Sequence, residues 1–251
     1  MVKTDFKLRY QGSVLGYMWS LLRPLLLFII LYLVFAKLLK VGNNVPHYPV
    51  YLLLGIVLWN YFAEVTGGGV GAIVGRGDLL RKINFPKYVI ILSVSFSALI
   101  NLFLNFIVIA VFMYLGHVII GWSLLLIIPL MFELFIFSMG VSFLLSALYV
   151  KYRDVSYIWE VIMQAAFYAT PIIYALSIVP VKYQKTLMLN PMAQIIQDAR
   201  YAVVTKKALT IYQVYNGDAW AWVIPIFIVI GFIVTAGLYF RRKSKFFAEE
   251  I

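Results

Sequence analysis

The sequence predicts an all-α integral membrane protein with six transmembrane helices. Of its 251 residues, 64% are hydrophobic and 12% are charged, which leaves too little polar surface to cover a water-soluble domain of this size. Six apolar stretches approach the roughly 20 residues that cross a hydrocarbon core of about 30 Å. They are residues 20–39, 49–69, 89–115, 122–149, 157–176 and 222–240. Runs of this length indicate helices rather than the short alternating strands of a barrel.

The N-terminal segment, residues 1–19, is charged and aromatic and reads MVKTDFKLRYQGSVLGYMW. It lacks the short basic start and the small-residue cleavage site of a secretory signal peptide. We therefore expect the first apolar span to be retained. Arg23 and Pro24 stand at the mouth of that span, and the sequence leaves the role of Arg23 open.

A short charged stretch, GRGDLLRKINFPK at residues 75–87, separates the second and third spans. Asp78 can cap a short helix, and Pro86 keeps the residue before it out of the helical region. The side chains between them would divide by face, with the apolar Leu79, Leu80 and Ile83 on one side and Arg81 and Lys82 elsewhere. The pattern predicts a one- to two-turn amphipathic helix that either rests on lipid headgroups or docks a cytosolic partner.

The distribution of basic residues predicts the topology. With the N-terminus inside, the inner segments hold 14 of the 21 Lys and Arg residues and the outer segments hold 7. Because basic residues accumulate on the cytoplasmic side, both termini are expected in the cytoplasm. The net charge of +11 then reflects topology and attraction to anionic lipid rather than nucleic-acid binding.

Residues 177–215 follow the fifth span on the predicted outer side. Pro171 should kink or end that span, and Asn190 with Pro191 forms a helix cap and first helical residue. The next residues are amphipathic, with Met192, Ile195, Ile196, Ala199 and Val203 on one face and Gln194, Gln197, Asp198 and Tyr201 on the other. We expect an interfacial or re-entrant helix with Gln194 and Gln197 accessible from outside, serving as a gate or as a surface cover.

Five segments, in order along six spans, resemble the ABC-2 type permeases that export O-antigen and related cell-envelope polysaccharides. They are DFKLRYQGSVLGYMWSLLRP (5–24), DLLRKINFPK (78–87), KYRD (151–154), TPIIY (170–174) and NPMAQIIQDAR (190–200). The resemblance implies one transmembrane domain over residues 1–251. Its parts would be an interface helix at 1–19, spans one to five at 20–176, an outer gate segment at 177–215, and span six with a cytoplasmic tail at 216–251.

The resemblance also assigns roles to residues. The interface helix would carry Arg9, Tyr10 and Trp19. The loop helix would couple to a nucleotide-binding subunit through Arg76, Asp78, Leu79, Leu80, Arg81, Lys82 and Ile83. The outer gate would include Asn190, Pro191, Gln194, Gln197, Asp198 and Arg200.

Partners and cargo follow from the same resemblance. The chain would form a homodimer in the bacterial inner membrane and join two ATP-binding subunits, which would hold the ATP and magnesium. No cofactor or metal is expected in this chain. The cargo would be lipid-linked polysaccharide of O-antigen type, with teichoic acid, capsule or small lipophilic molecules as the alternatives.

Aromatic side chains are the candidates for contact with sugar. Phe28, Tyr32 and Phe35 recur at i, i+4 and i+7 on the first span and would form a stripe. Trp59 and Phe62 on the second span, and Phe167, Tyr168 and Tyr174 on the fifth, could join it. Aromatic faces suit the C–H surfaces of sugar rings, and helix packing is the alternative.

Other function classes are less favoured. The glycine-rich VTGGGVGAIVGRGD lacks the Lys and Ser or Thr of a phosphate-binding loop, so the chain should not hydrolyse ATP by itself, and its glycines indicate close helix packing. A membrane glycosyltransferase would need paired carboxylates, and only Glu249 and Glu250 adjoin. A proton-coupled transporter would use Glu64, Glu133 or Glu160. Without a basic neighbour at mid-depth, these acids more readily form interhelical hydrogen bonds or line a wet cavity, and the roles of Glu64 and Glu133 are left open.

Overall fold

The computed structural model describes residues 16–42, 45–77 and 86–247, and over these ranges the regular structure is entirely helical. Five helices are long and apolar enough to cross a membrane. They are α1 (Trp19–Leu38), α2 (Tyr48–Val70), α3 (Tyr88–Leu115), α4 (Ile127–Lys151, which continues a 3₁₀ turn at Trp122–Leu126) and a C-terminal helix, Val223–Lys243, numbered α9 below. They match five of the predicted spans within a few residues, so the all-α membrane fold is confirmed.

The predicted fifth span is shorter than expected. Helix α5 (Val155–Ala169) has 15 residues and ends before Thr170, whose backbone is extended. The physical reason is Pro171, which lacks an amide hydrogen and disfavours helical geometry in the residue before it. At 1.5 Å per residue, α5 is about 22 Å long, which is less than the thickness of a hydrocarbon core. The sequence was therefore correct that Pro171 breaks the helix, whereas a continuous span over 157–176 is wrong.

Helix α2 is the centre of the bundle. In its most apolar window 78% of the residues are buried, compared with 11% in α1. It packs against α1, α3, α4 and α5. At Gly69 a β-carbon would lie 1.7 Å from Ser142 Oγ of α4, and that hydroxyl donates to the carbonyl of Val65 at 2.9 Å. The predicted close packing of glycines therefore holds at Gly69, whereas Gly67, Gly71 and Gly75 face open space.

The segment after α5 folds back over the bundle through three short helices. They are α6 (Val181–Met188), α7 (Pro191–Val203) and α8 (Ile211–Val214). A 3₁₀ turn at Ala219–Trp222 leads into α9 (Val223–Lys243), with Asp218 Oδ1 accepting from the amide of Trp220. Helix α9 then packs along α4. The two helices approach closely at Gly140, where a β-carbon would lie 3.2 Å from Ile233 Cα.

Candidate functional site

Helix α7 begins as predicted but does not lie on the surface. Asn190 Oδ1 accepts from the amide of Met192 at 3.0 Å, and Pro191 is the first helical residue. Its polar residues Gln194, Gln197, Asp198 and Arg200 are each at most 1% exposed. The expectation that Gln194 and Gln197 are accessible from outside is therefore wrong. The physical reason is that α7 packs against α2, α4, α6, α8 and α9, so protein groups rather than water surround its polar face.

Arg200 is a fully buried cation held by backbone carbonyls. Its Nε donates to the carbonyl of Tyr51 at 3.1 Å, and its Nη1 and Nη2 donate to the carbonyls of Pro171 and Ile172. The guanidinium lies 3.6 Å from the centre of the Tyr51 ring. Gly55 leaves room for it, since a β-carbon there would lie 2.6 Å from Nη2. Burial lowers the pKa of Arg200, and the Tyr51 side chain opposes that effect.

These contacts stabilise the irregular chain that follows α5. A helix end leaves carbonyl groups without helical partners, and lipid offers none. Besides Arg200, Gln197 Nε2 donates to the carbonyl of Pro171 at 3.4 Å, and Tyr48 Oη donates to the carbonyl of Ile173 at 2.6 Å. Donors from α2 and α7 thus hold the segment between α5 and α6. The sequence did not reveal this function of Arg200, because its acceptors lie 28 to 149 positions away along the chain.

A second polar cluster joins α7 to α4 and α8. Asp198 Oδ2 accepts from Gln194 Nε2 at 2.8 Å, and Asp198 Oδ1 accepts from the amide of Ile211 at 3.1 Å. Glu133 of α4 lies beside this pair. Burial raises the pKa of Asp198 to about 6, against the opposing effect of these two hydrogen bonds. Burial therefore favours the protonated form of this carboxyl group more than water does.

The aromatic residues proposed for a sugar path divide into two groups. Phe28, Trp59 and Phe62 are each 5% exposed. The ring of Phe28 packs edge-on against Phe112 with centroids 5.4 Å apart, and Phe62 stacks on Phe137 at 5.4 Å. Neighbouring helices therefore cover these three rings, as the helix-packing alternative requires.

The remaining aromatic candidates keep some exposure. Tyr32, Phe35, Phe167 and Tyr174 are half-buried, and Tyr168 is 65% exposed. In α1 the backbone becomes π-helical over Tyr32–Leu38, which places more residues in each turn than the predicted α-helical stripe assumed. A path role stays a prediction for these five.

Most of the predicted docking and interface residues lie outside the described part of the chain. These are Arg9, Tyr10, Asp78, Leu79, Leu80, Arg81, Lys82 and Ile83. Arg76 ends a 3₁₀ turn at Val74–Arg76, and its Nη1 lies 3.4 Å from the carbonyl of Ala72. Trp19 begins α1 and is 44% exposed. Coupling through the loop and an N-terminal interface helix stay predictions.

Comparison with known proteins gives one consistent result. The sequence model of the family described as ABC-2 type transporter matches residues 1–204. The chain is 31% identical over 248 residues to an O-antigen export system permease protein RfbA of Klebsiella pneumoniae, covering 98% of this chain and 91% of the relative. It is 28% identical over 257 residues to the RfbA of Myxococcus xanthus, covering 100% and 94%. Similarity to the polysialic acid transport protein KpsM of Escherichia coli is 21% over 211 residues, covering 80% and 78%.

Proposed function

Because the chain belongs to the ABC-2 type transporter family, we propose that it is the membrane subunit of an exporter of lipid-linked, O-antigen type polysaccharide. The observation that carries this proposal is similarity over nearly the whole chain to permeases named for O-antigen export. The similarity to KpsM is weaker and covers less of the chain. It therefore supports the capsule alternative less strongly than the other relatives support O-antigen export. ATP hydrolysis would take place on a separate subunit, because the chain lacks a phosphate-binding loop sequence.

A second copy of the chain would complete the transport path. No residue of α5 is buried, and Tyr157 and Val161 are 72% and 66% exposed. Glu160 and Gln164, one helical turn apart, are exposed on the same helix, and an ionisable side chain facing lipid is costly. Helix α5 suits contact with a polar path better than contact with hydrocarbon. We therefore place α5 and the sparsely buried α1 at the interface of a homodimer, on the two sides of the polysaccharide path.

Two ATPase subunits would bind the cytoplasmic side of this dimer in the bacterial inner membrane. The loop helix predicted at 78–84 would receive their motion, with both termini of the chain in the cytoplasm. The membrane dimer would have two states, open to one side of the membrane or to the other, and each would contact the ATPase subunits differently. ATP-driven closure of those subunits would then favour one of the two states.

The proposal is tested by reconstitution. The chain is purified with the ATP-binding subunit that co-purifies with it and is placed in proteoliposomes with lipid-linked glycan on the ATP-accessible face. We expect ATP-dependent appearance of glycan on the other face and stimulation of ATP hydrolysis by glycan. The matched control is the same complex with the Walker A lysine of the ATPase replaced. An intact complex that is stimulated by small lipophilic molecules and never by glycan would contradict the proposal.

A further inference from the structure

A cavity of about 310 Å³ lies where α1 ends and α2 begins. Its volume is at the lower end of the range of about 300–1,000 Å³ that is typical of small-molecule sites. Tyr32, Lys37 and Lys40 line it from the side of α1, and Tyr48 lines it from α2. Both lysines are exposed, so the cavity is a depression in the surface. The part of α1 that contributes Tyr32 and Lys37 is π-helical, a geometry that is frequent at functional sites.

The charge of this cavity is positive and is not balanced by the protein. Residues 32–49 contain no Asp or Glu. Neither Lys37 nor Lys40 has an ion pair, a hydrogen bond from its ammonium group or a contact with an aromatic ring within the described part of the chain. The C-terminal end of α1 carries partial negative charge equivalent to about half an elementary charge. Two ammonium groups exceed that charge, so the cavity favours an anion.

Tyr32 supplies a third hydrogen-bond donor at the same place. Its ring is half-buried and stacks on Phe28 with centroids 5.7 Å apart, and its hydroxyl has no partner among the described residues. The hydroxyl of Tyr48, in contrast, already donates to the carbonyl of Ile173 at 2.6 Å. A phosphate ester presents three strong acceptor oxygens, and hydrogen bonds between ionised partners are the strong ones. Two ammonium groups and one hydroxyl match these oxygens in number and in charge.

The surface of α1 beside the cavity identifies what carries the phosphate. Ile30, Leu33 and Leu38 are 59%, 54% and 75% exposed, and the sequence has no charged residue between Arg23 and Lys37. A free phosphate ion would make no use of this apolar surface. An amphiphile with a phosphate head and hydrocarbon chains would use all of it, because burying apolar surface is favourable wherever water is displaced.

We propose that Tyr32, Lys37 and Lys40 bind the phosphate group of a lipid. The flexible four-carbon stems of the lysines allow both ammonium groups to reach one headgroup. Two sources share this chemistry, the phospholipid of the surrounding leaflet and a phosphate-bearing lipid that carries the exported glycan. The inference goes beyond the proposed function, because a bilayer phospholipid would occupy the site whatever the chain exports.

The test counts the lipids that bind to the full chain by native mass spectrometry. The chain in detergent micelles is titrated with phosphatidylglycerol or with phosphatidylcholine that has the same acyl chains. We expect the first phosphatidylglycerol to bind at least about tenfold more tightly than the first phosphatidylcholine, whose own cation opposes the lysines. Inorganic phosphate at equal concentration should not displace phosphatidylglycerol, because it lacks the hydrocarbon chains.

Variants locate the binding. Lys37→Gln together with Lys40→Gln should weaken phosphatidylglycerol binding about tenfold, and Tyr32→Phe should weaken it about threefold. The melting temperature should be nearly unchanged in both, since the removed groups have no partner in the described protein. The matched control is Lys182→Gln together with Lys185→Gln, an exposed pair with the same spacing on α6, which should change binding less than twofold.

Four results would each overturn the inference. They are equal binding of the two phospholipids, displacement by inorganic phosphate, an unchanged affinity in the Lys37 and Lys40 double variant, and an equal loss in the control pair. Competition with lipid-linked glycan then separates the sources. Displacement of phosphatidylglycerol at equal or lower concentration assigns the site to the glycan carrier, and no displacement assigns it to bilayer phospholipid, and both results retain the site. Phosphatidylglycerol binding without ATP-driven glycan movement in the reconstituted complex would contradict the proposed function alone.

Discussion

Replacing Arg200 with methionine should destabilise the folded protein by about 2–4 kcal/mol. The guanidinium donates to the carbonyls of Tyr51, Pro171 and Ile172. Methionine fills similar space but donates no hydrogen bond, so the carbonyl of Ile172 loses the Arg200 donor and that of Pro171 keeps only the 3.4 Å contact with Gln197 Nε2. Each such loss costs about 1–3 kcal/mol. The variant also no longer has a buried charge, so the desolvation penalty of the guanidinium disappears. This gain offsets part of the loss and brings the net destabilisation into the stated range.

Three related variants and one control test the geometry behind that number. Arg200→Lys keeps the charge, but a single ammonium cannot reproduce a planar fork that reaches separate carbonyls, so it should recover only part of the stability. Gly55→Ala places a β-carbon 2.6 Å from Arg200 Nη2 and should be destabilising by a similar route. In the Arg200→Met background, Gly55→Ala should lower the free energy of unfolding by at least about 1 kcal/mol less than it does in the native protein. The two substitutions are coupled because the added β-carbon no longer meets the guanidinium. Arg241→Met, at an exposed basic residue near the end of α9, should stay within about 0.5 kcal/mol of the native protein.

The assay is reversible unfolding of the purified chain in mixed micelles, followed by near-ultraviolet circular dichroism and compared at equal detergent concentration. Two results together would refute the proposed role of Arg200 in holding these carbonyls. They are a stability of Arg200→Met within about 0.5 kcal/mol of the native protein and an equal effect of Gly55→Ala in both backgrounds.

Three further predictions concern the outer segment and the loop. Asp198 has a pKa of about 6 in the folded protein, compared with an ordinary value of 3.8. Its contribution to stability therefore falls as pH rises from the lower value to the higher one. Asp198→Asn should remove this part of the dependence of stability on pH. The check is the difference in melting temperature between variant and native protein from pH 4 to 8, and a native advantage that grows with pH would contradict it. Cysteine at Gln194, which is 1% exposed, should resist an impermeant thiol reagent applied from outside, whereas cysteine at Tyr183, which is 55% exposed, should react. Equal labelling of the two would show that the polar face of α7 is not covered by protein. Reversing the charges of Arg81 and Lys82 together should release the ATPase subunit or uncouple its activity from export while the helices remain inserted. Full co-purification and full export would favour the headgroup interpretation of that loop.

Patterns that depend on neighbouring residues along the chain were predicted well. Five apolar runs became α1 to α4 and α9 because, in lipid, a helix alone satisfies every backbone group within its own segment. The cap at Asn190–Pro191 and the helix break before Pro171 also arise from one or two residues. The resemblance to ABC-2 permeases, drawn from short segments in order, is confirmed by the family match.

What only the tertiary structure decided is which polar and aromatic faces are covered. The polar side of α7 reads as a surface in the sequence, yet Gln197 and Arg200 are 0% exposed because their partners come from α2 and the chain after α5. The periodicity that placed Phe28 in a stripe could not show that Phe112 of α3 covers its ring. Amphipathic periodicity states that a helix has two environments, but it does not say whether the polar one is water or other protein groups. That choice depends on contacts between residues distant in sequence, such as Arg200 with Tyr51 and Ile172, and only the folded chain brings them together.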